Sequence, residues 1–337
     1  MARRLGWVDK PDLRKQHDAA VPLSGGVAIL LGFMAAMFVA GEPLYRPLLI
    51  GMTSLCLLGL VDDLLDLSAR CRLLLQILLV GALAVWKGLH LCYLGNIFGF
   101  GEIILPTWLG LVFLVFCIVA VINAINMIDG VDGLAGGVMV ITLLWLAFLS
   151  TKTGSDTSLM LMLGASIGGY LCFNMRGPFR KKATVFMGDA GSTMLGFGIT
   201  WLLVIYSRNQ YGEFNEFPPV LIPWLLAVPL LDTACLIISR GLRGTSPFKA
   251  DRDHIHHILM RVGLSDRQAA IVVIAMAFVI GGVGVAGWLL HAPECLLFYG
   301  FLLLFAAYYY AVHHRRELFV LFQRLGGYSK GRLPPSQ

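Results

Sequence analysis

Between residues 23 and 312 the chain returns repeatedly to apolar stretches of helix length. A bilayer core about 30 Å thick takes roughly 20 residues of α-helix to cross. Lipid offers no partner to bare backbone polar groups, so a crossing segment must satisfy its own. Ten segments meet that pattern: 23–40, 47–61, 71–87, 108–126, 134–150, 158–175, 191–207, 219–239, 269–290 and 295–312. The expected fold is therefore all-α, a polytopic integral membrane protein with about ten transmembrane helices. Of the 337 residues, 58% are hydrophobic and 14% charged, where a soluble domain averages roughly 45–50% and about 25%.

The distribution of positive charge sets the orientation. Of 26 Lys and Arg, 22 fall in 1–22, 62–72, 176–190, 240–268 and the stretch after 312. The alternate loops hold only Arg46, Lys87, Lys152 and Arg208. That asymmetry puts the first set of loops and both ends of the chain in the cytoplasm. The net charge of +6 then reflects topology and attraction to anionic lipid, and calls for no nucleic-acid partner. The first 22 residues are too polar to read as a signal peptide. Seven cysteines lie scattered, without CxxC or Cys/His spacing, and read as small core residues.

Ionisable side chains are costly in hydrocarbon, so their placement is informative. On the inner side they come in four groups. The first is Gly59-Leu-Val-Asp62-Asp63-Leu-Leu-Asp66, where a spacing of four returns Asp62 and Asp66 to one helical face. Such a cluster suits a divalent cation or proton transfer, or is simply a solvated helix end. The second is Asn123-Ala-Ile-Asn126-Met-Ile-Asp129-Gly-Val-Asp132-Gly133, whose polar groups follow one stripe if the helix continues through them. The third, Phe186-Met-Gly188-Asp189-Ala-Gly191-Ser192-Thr193, opens the seventh segment after Arg176, Arg180, Lys181 and Lys182. It offers N-caps and an anion-binding helix N-terminus. The fourth is Ser246-Pro-Phe-Lys-Ala-Asp251-Arg252-Asp253-His254-Ile-His256-His257. On a helix His254 and His257 share a face and His256 diverges. Three histidines beside Arg252 suit phosphate or sugar oxygens better than zinc, since no cysteine accompanies them. Asp232 stands apart within the eighth segment, after Pro229, and either lines a polar cleft or is structural.

The stretches GWVDKPDLRKQH, GLVDDLLDLSARCR, NAINMIDGVDGL, VFMGDAGSTMLGF and SPFKADRDHIHHILMRVGLSDRQA occur in this order from about Gly6 to Gly287. Together they resemble the polyprenyl-phosphate N-acetylhexosamine-1-phosphate transferase family, and within it the bacterial N-acetylglucosamine-type branch. That family usually has a further transmembrane helix ahead of the GxVDKP stretch, and this sequence begins without it. The resemblance implies transfer of GlcNAc-1-phosphate from UDP-GlcNAc to undecaprenyl phosphate, releasing UMP. This would be the first membrane step of O-antigen or related surface-polysaccharide synthesis at a bacterial inner membrane. Another UDP-N-acetylhexosamine is the alternative donor. The peptidoglycan branch, which takes UDP-MurNAc-pentapeptide, carries adjacent histidines where this chain has His254-Ile-His256-His257. A cation-coupled transporter is the rival class, with Asp232 its only mid-membrane acid and no internal repeat in support.

The same resemblance implies residue roles. Asp189 and Asn126 become ligands of Mg²⁺, with Mn²⁺ as an alternative. Asp62, Asp63 and Asp129 become the catalytic carboxylates, the first two orienting or deprotonating the lipid phosphate, with Asp129 and Asp66 in support. Phe186 stacks on uracil and Asp132 bonds its edge, while Arg72, His254, His256 and His257 contact diphosphate and sugar. Direct attack by the lipid phosphate is favoured over an enzyme-linked intermediate. The implied organisation is a cytoplasmic segment 1–22, a transmembrane catalytic domain 23–312 and a basic cytoplasmic tail 313–337. Homo-oligomerisation stays open.

Overall fold

A computed structural model describes residues 8–9, 21–41, 45–175, 182–207, 217–244 and 254–314. Every one of the ten apolar segments is helical. They form α1 (Gly25–Ala40), α2 (Arg46–Leu65), α3 (Ala69–Lys87), α4 (Thr107–Ile128), α5 (Leu134–Thr153), α6 (Ser158–Asn174) and α7 (Gly188–Tyr206). The eighth segment is split into α8 (Leu221–Leu225) and α9 (Ala227–Leu242). A short α10 (Ile255–Arg261) precedes α11 (Asp266–Leu289) and α12 (Glu294–His313). Two small antiparallel pairs complete the described elements: β1 (Val8–Asp9) with β2 (Val21–Pro22), and β3 (Tyr93–Gly95) with β4 (Ile103–Ile104).

Seven of the described helices, α2, α3, α4, α5, α7, α11 and α12, are long and apolar enough to cross a membrane. The shorter α1 and α6 are apolar as well. The outer helices are apolar towards the surroundings, with Leu74, Leu78 and Val85 on α3 and Leu296, Leu303 and Tyr310 on α12 exposed. A water-soluble fold would bury such faces; in a bilayer they meet lipid.

The centre of the bundle is α7, buried continuously from Ala190 to Val204. It packs against α2 and α4 most extensively, and against α1 and α5. Small residues permit the close approach. A Cβ at Gly59 of α2 would strike the backbone of Asp189 and Ala190, and one at Gly26 of α1 would strike Gly191. Without a hydrophobic driving force between helices in lipid, such backbone proximity maximises dispersion contact. It also draws the ends of α1 and α2 to the start of α7, where the polar groups gather.

The break between α8 and α9 follows from Pro229. A proline has no N–H to return to the carbonyl four residues earlier, and its ring crowds that carbonyl. Here that carbonyl is Leu225, and the buried Thr142 hydroxyl of α5 donates to it at 3.0 Å. A backbone acceptor freed at membrane depth is thus satisfied from a neighbouring helix, as a bilayer protein requires.

Candidate active site

Described residues from each of the four polar groups of the sequence converge at one end of the bundle. The end of α2 meets the start of α7, and Arg72, in the first turn of α3, reaches back to both. Asp62 is almost fully buried and takes 2.7 Å from Arg72 Nη1 on Oδ2 and 2.9 Å from the Leu67 amide on Oδ1. It therefore closes the α2–α3 turn as well as pairing with the arginine. Asp66 does not share its helical face. It is the left-handed cap beyond Leu65 (φ 51°) and is exposed, because the helix ends one residue earlier than the Asp62–Asp66 spacing presumed.

Asp63 accepts from the Asp189 amide at 3.0 Å and the Ala190 amide at 3.4 Å. The start of α7 is thus capped by a carboxylate from α2. Two of the first α7 amides are already taken, so they are not the open phosphate cradle that the sequence offered as one reading. Nor do Ser192 and Thr193 act as N-caps. Their hydroxyls turn back to the Gly188 and Asp189 carbonyls, at 3.1 and 2.6 Å.

The Asp189 side chain projects between α3 and α4. Asn126 Nδ2 donates to Asp189 Oδ1 and, at 2.9 Å, to Ser192 Oγ, while Arg72 Nη1 lies 3.5 Å from Asp189 Oδ2. Asn126 and Asp189, the pair that the resemblance assigns to a metal, are therefore neighbours. Asn123 is not part of this set. It donates to Gln76 Oε1 at 2.7 Å and the Val119 carbonyl at 2.8 Å, inside the α3–α4 interface. The stripe 123–126–129–132 is broken because α4 stops at Ile128, leaving Asp129 as its cap and Asp132 in the following turn. Burial, then the neighbouring carboxylates of Asp189, Asp132 and Asp63, push the Asp129 carboxyl up to about 7.

Phe186 is half-buried and its backbone is held on both sides. Its amide donates to Pro22 at 2.9 Å, and its carbonyl accepts from Gly25 at 2.9 Å. Asn174, which the sequence reading passed over, ties the segment before α7 to the α4–α5 turn: its Oδ1 accepts from the Gly133 amide at 2.6 Å and its Nδ2 donates to the Val185 carbonyl at 2.8 Å. The available signal was a lone amide side chain ending an apolar segment.

The histidines cluster differently from a helical wheel. His254 precedes α10 as its N-cap residue, so all three rings can gather. The His254 and His256 rings stack with centroids 5.4 Å apart, and His256 and His257 lie 4.2 Å apart. His256 is 1% exposed, and among the described residues neither ring nitrogen has a hydrogen-bond partner. Its Nε2 faces the α4–α5 turn, 3.0 Å from where a Cβ on Gly130 would sit. Burial, then the adjacent His257 and His254, push its pKa down to about 3. Asp232 anchors the cluster: it pairs with His254 Nδ1 at 2.7 Å and accepts from the Ile255 amide and the Tyr308 hydroxyl, at 3.0 and 2.8 Å. It does not line an open cleft. Ser246, Asp251, Arg252, Asp253, Arg176, Arg180, Lys181 and the tail from 315 lie outside the described residues.

This end of the bundle thus joins carboxylates, one arginine and a histidine cluster from separate helices. Residues 45–207 match glycosyl transferase family 4. The undecaprenyl-phosphate alpha-N-acetylglucosaminyl 1-phosphate transferase of Pasteurella multocida is 38% identical over 93% of this chain and 87% of its own length. The protein of the same name from Haemophilus influenzae is 36% identical over 93% and 88%. The one from Escherichia coli K12 is 34% identical over 93% and 85%. The chain belongs to glycosyl transferase family 4.

As a family 4 member it is an enzyme, a transferase and a multi-pass membrane protein, and the transporter reading falls away. The site of this family 4 enzyme fits a hard divalent cation by its donor chemistry. Asp189 would offer carboxylate oxygens and Asn126, whose Nδ2 faces Asp189, its remaining Oδ1, and the surrounding carboxylates exceed what Arg72 balances. Among the described residues no group of three or more His, Cys, Asp or Glu is arranged to hold a metal.

Proposed function

We propose that this transferase moves GlcNAc-1-phosphate from UDP-GlcNAc to undecaprenyl phosphate on the cytoplasmic face of a bacterial inner membrane. An oxygen of the lipid phosphate attacks the sugar-bearing phosphorus of the donor. The bond from that phosphorus to the bridging oxygen breaks, and UMP leaves with that oxygen. The products are undecaprenyl-diphosphate-GlcNAc and UMP. The observation that carries this reading is the meeting of Asp189 and Asn126 beside Arg72, in a chain 38% identical to a transferase named for that lipid and sugar. The 22-to-4 division of Lys and Arg supports the cytoplasmic placement.

Asp189 and Asn126 would hold Mg²⁺ or Mn²⁺, which lowers the repulsion between two phosphate groups and stabilises the leaving nucleotide. Arg72, held rigid by Asp62, presents a fixed positive charge to the donor diphosphate. Asp62 and Asp63 act by placement. Both are committed to donors of the fold, and a phosphomonoester with a second pKa of about 6 needs little help to lose its proton at pH 7. Asp129, with its pKa raised to about 7, keeps part of its proton at neutral pH and so limits the negative charge of the free site. Phe186, its backbone clamped, supplies a face for uracil, and Asp132 an acceptor for the uracil edge. The histidines bond the diphosphate and sugar, and a donor lacking the matching groups leaves them unpaired.

The test uses purified protein with Mg²⁺, undecaprenyl phosphate and radiolabelled UDP-GlcNAc. Label should pass into butanol-extractable lipid with equimolar UMP, and UDP-MurNAc-pentapeptide should not compete. Transfer of UDP-GalNAc with UDP-GlcNAc inert would overturn the donor. No transfer from any UDP-N-acetylhexosamine would overturn the reaction.

A further inference from the structure

Asp232 belongs to none of the acidic groups of the motif stretches, yet it is 1% exposed and its oxygens take donors from three directions. Oδ2 pairs with His254 Nδ1, and Oδ1 accepts from the Ile255 amide and the Tyr308 hydroxyl. Burial of an isolated carboxylate is costly, and only a full set of donors makes it tolerable.

Each donor fixes a different degree of freedom. The Nδ1 bond sets the tautomer and rotation of the His254 ring, leaving Nε2 as the nitrogen turned away from the carboxylate. The Ile255 bond pins the first residue of α10. At seven residues α10 is too short to hold itself in place by its own hydrogen bonds. The Tyr308 hydroxyl couples both to α12, whose other described tyrosine hydroxyls do not reach this carboxylate. Tyr308 is 9% exposed while Tyr310 is 58% exposed, so its position in the helix selects it.

We propose that Asp232, acting with the Tyr308 hydroxyl, is the positioning residue of the histidine cluster. It sets His254 and the start of α10, and through the stacked His254–His256 pair holds His256 against the Gly130 turn. Among the described residues the His256 ring has no hydrogen bond of its own to hold it there. The proposal rests on the reading of this cluster as part of the sugar-nucleotide site. Because Asp232 touches no reacting group, its removal should misplace the cluster and leave the carboxylate chemistry around Asp189 in place.

The experiment takes the full-length protein in nanodiscs as Asp232→Asn, Tyr308→Phe, His254→Ala and the double variant Asp232→Asn/His254→Ala. Steady-state kinetics with UDP-GlcNAc and amide hydrogen exchange of the ligand-free protein are measured on each. Asp232→Asn should raise KM for UDP-GlcNAc about tenfold with a smaller change in kcat. The double variant should be no worse than His254→Ala, since a residue acting through another is not additive with it. Tyr308→Phe should shift KM in the same direction by less, and it carries the test if Asp232→Asn does not fold. Exchange over 254–261 should quicken in both anchor variants while that of α7 is unchanged. Additive effects on KM, or unaltered exchange over 254–261, overturn the proposal. If the wild type shows no turnover of UDP-GlcNAc, the functional reading fails, and the exchange result still decides the anchor.

Discussion

The carboxylate of Asp63 accepts a 3.0 Å hydrogen bond from the backbone amide of Asp189, across 126 positions of sequence. The two residues belong to separate motifs, and the bond makes one acidic group the cap of the helix that presents another. Asp63→Ala should remove that cap and lower stability by about 1–2 kcal/mol. Asp63→Asn keeps an acceptor and should lose less stability, yet it should depress turnover more than UDP-GlcNAc binding. Thermal unfolding in detergent, beside kcat and KM, separates the two effects. Abolished donor binding with turnover spared at saturation would refute the assignment.

Asp189→Asn preserves volume while removing the charge proposed to hold the cation. Its turnover should fall by roughly 100-fold or more, with expression and unfolding temperature close to wild type. Asn126→Ala should leave activity that is restored by raising Mg²⁺, with a half-saturating concentration about tenfold higher. Full activity of Asp189→Asn at low Mg²⁺ would exclude it as a ligand.

Arg72 and Asp62 test a different physical claim. The Asp62 side chain is 3% exposed, so Arg72→Met leaves a buried carboxylate without its partner. The expected cost is about 3–5 kcal/mol. Adding Asp62→Asn should recover most of the stability and none of the activity. Two independent, additive losses in the unfolding measurement would mean that the pair is not coupled.

The depressed pKa of His256 predicts an acid sensitivity. Its folded value of about 3 lies below the unfolded value of about 6.5, so the unfolded state binds the proton first. Stability is therefore full above about pH 6.5 and falls as pH drops from there towards 3. At pH 5.5 the loss from this one group should be on the order of 1 kcal/mol. Unfolding temperatures at pH 7.5 and 5.5 should differ less in His256→Leu than in wild type. An equal acid shift in both proteins would sink the claim.

Orientation has a direct chemical test. Ser68 and Thr153 are exposed residues at opposite ends of their helices relative to the carboxylate cluster. In a cysteine-free background, a cysteine at Ser68 should be protected from an impermeant thiol reagent in intact cells, and one at Thr153 should label. The reverse pattern would put the site outside the cytoplasm.

The sequence by itself determined the apolar helices and the residues worth watching. Lipid forbids unsatisfied backbone and punishes stray charge, so apolar length and the placement of Asp, Arg and His are strong one-dimensional signals. The four inner-side polar groups were legible in this way, while the attention to Asn126, Asp189 and Arg72 within them came from the family resemblance. Only the tertiary structure decided what each group binds. Asp63 became a cap for α7, Asp62 a clamp on Arg72, and Asn123 a partner of Gln76. Asp66 left its expected face because α2 ended at Leu65, a boundary that local spacing does not encode. Asn174 and Tyr308 escaped notice, and Asp232 was noticed without its partners, for one physical reason. Their partners lie 41, 76 and 22 positions away, and a hydrogen bond between distant segments leaves no periodicity in either.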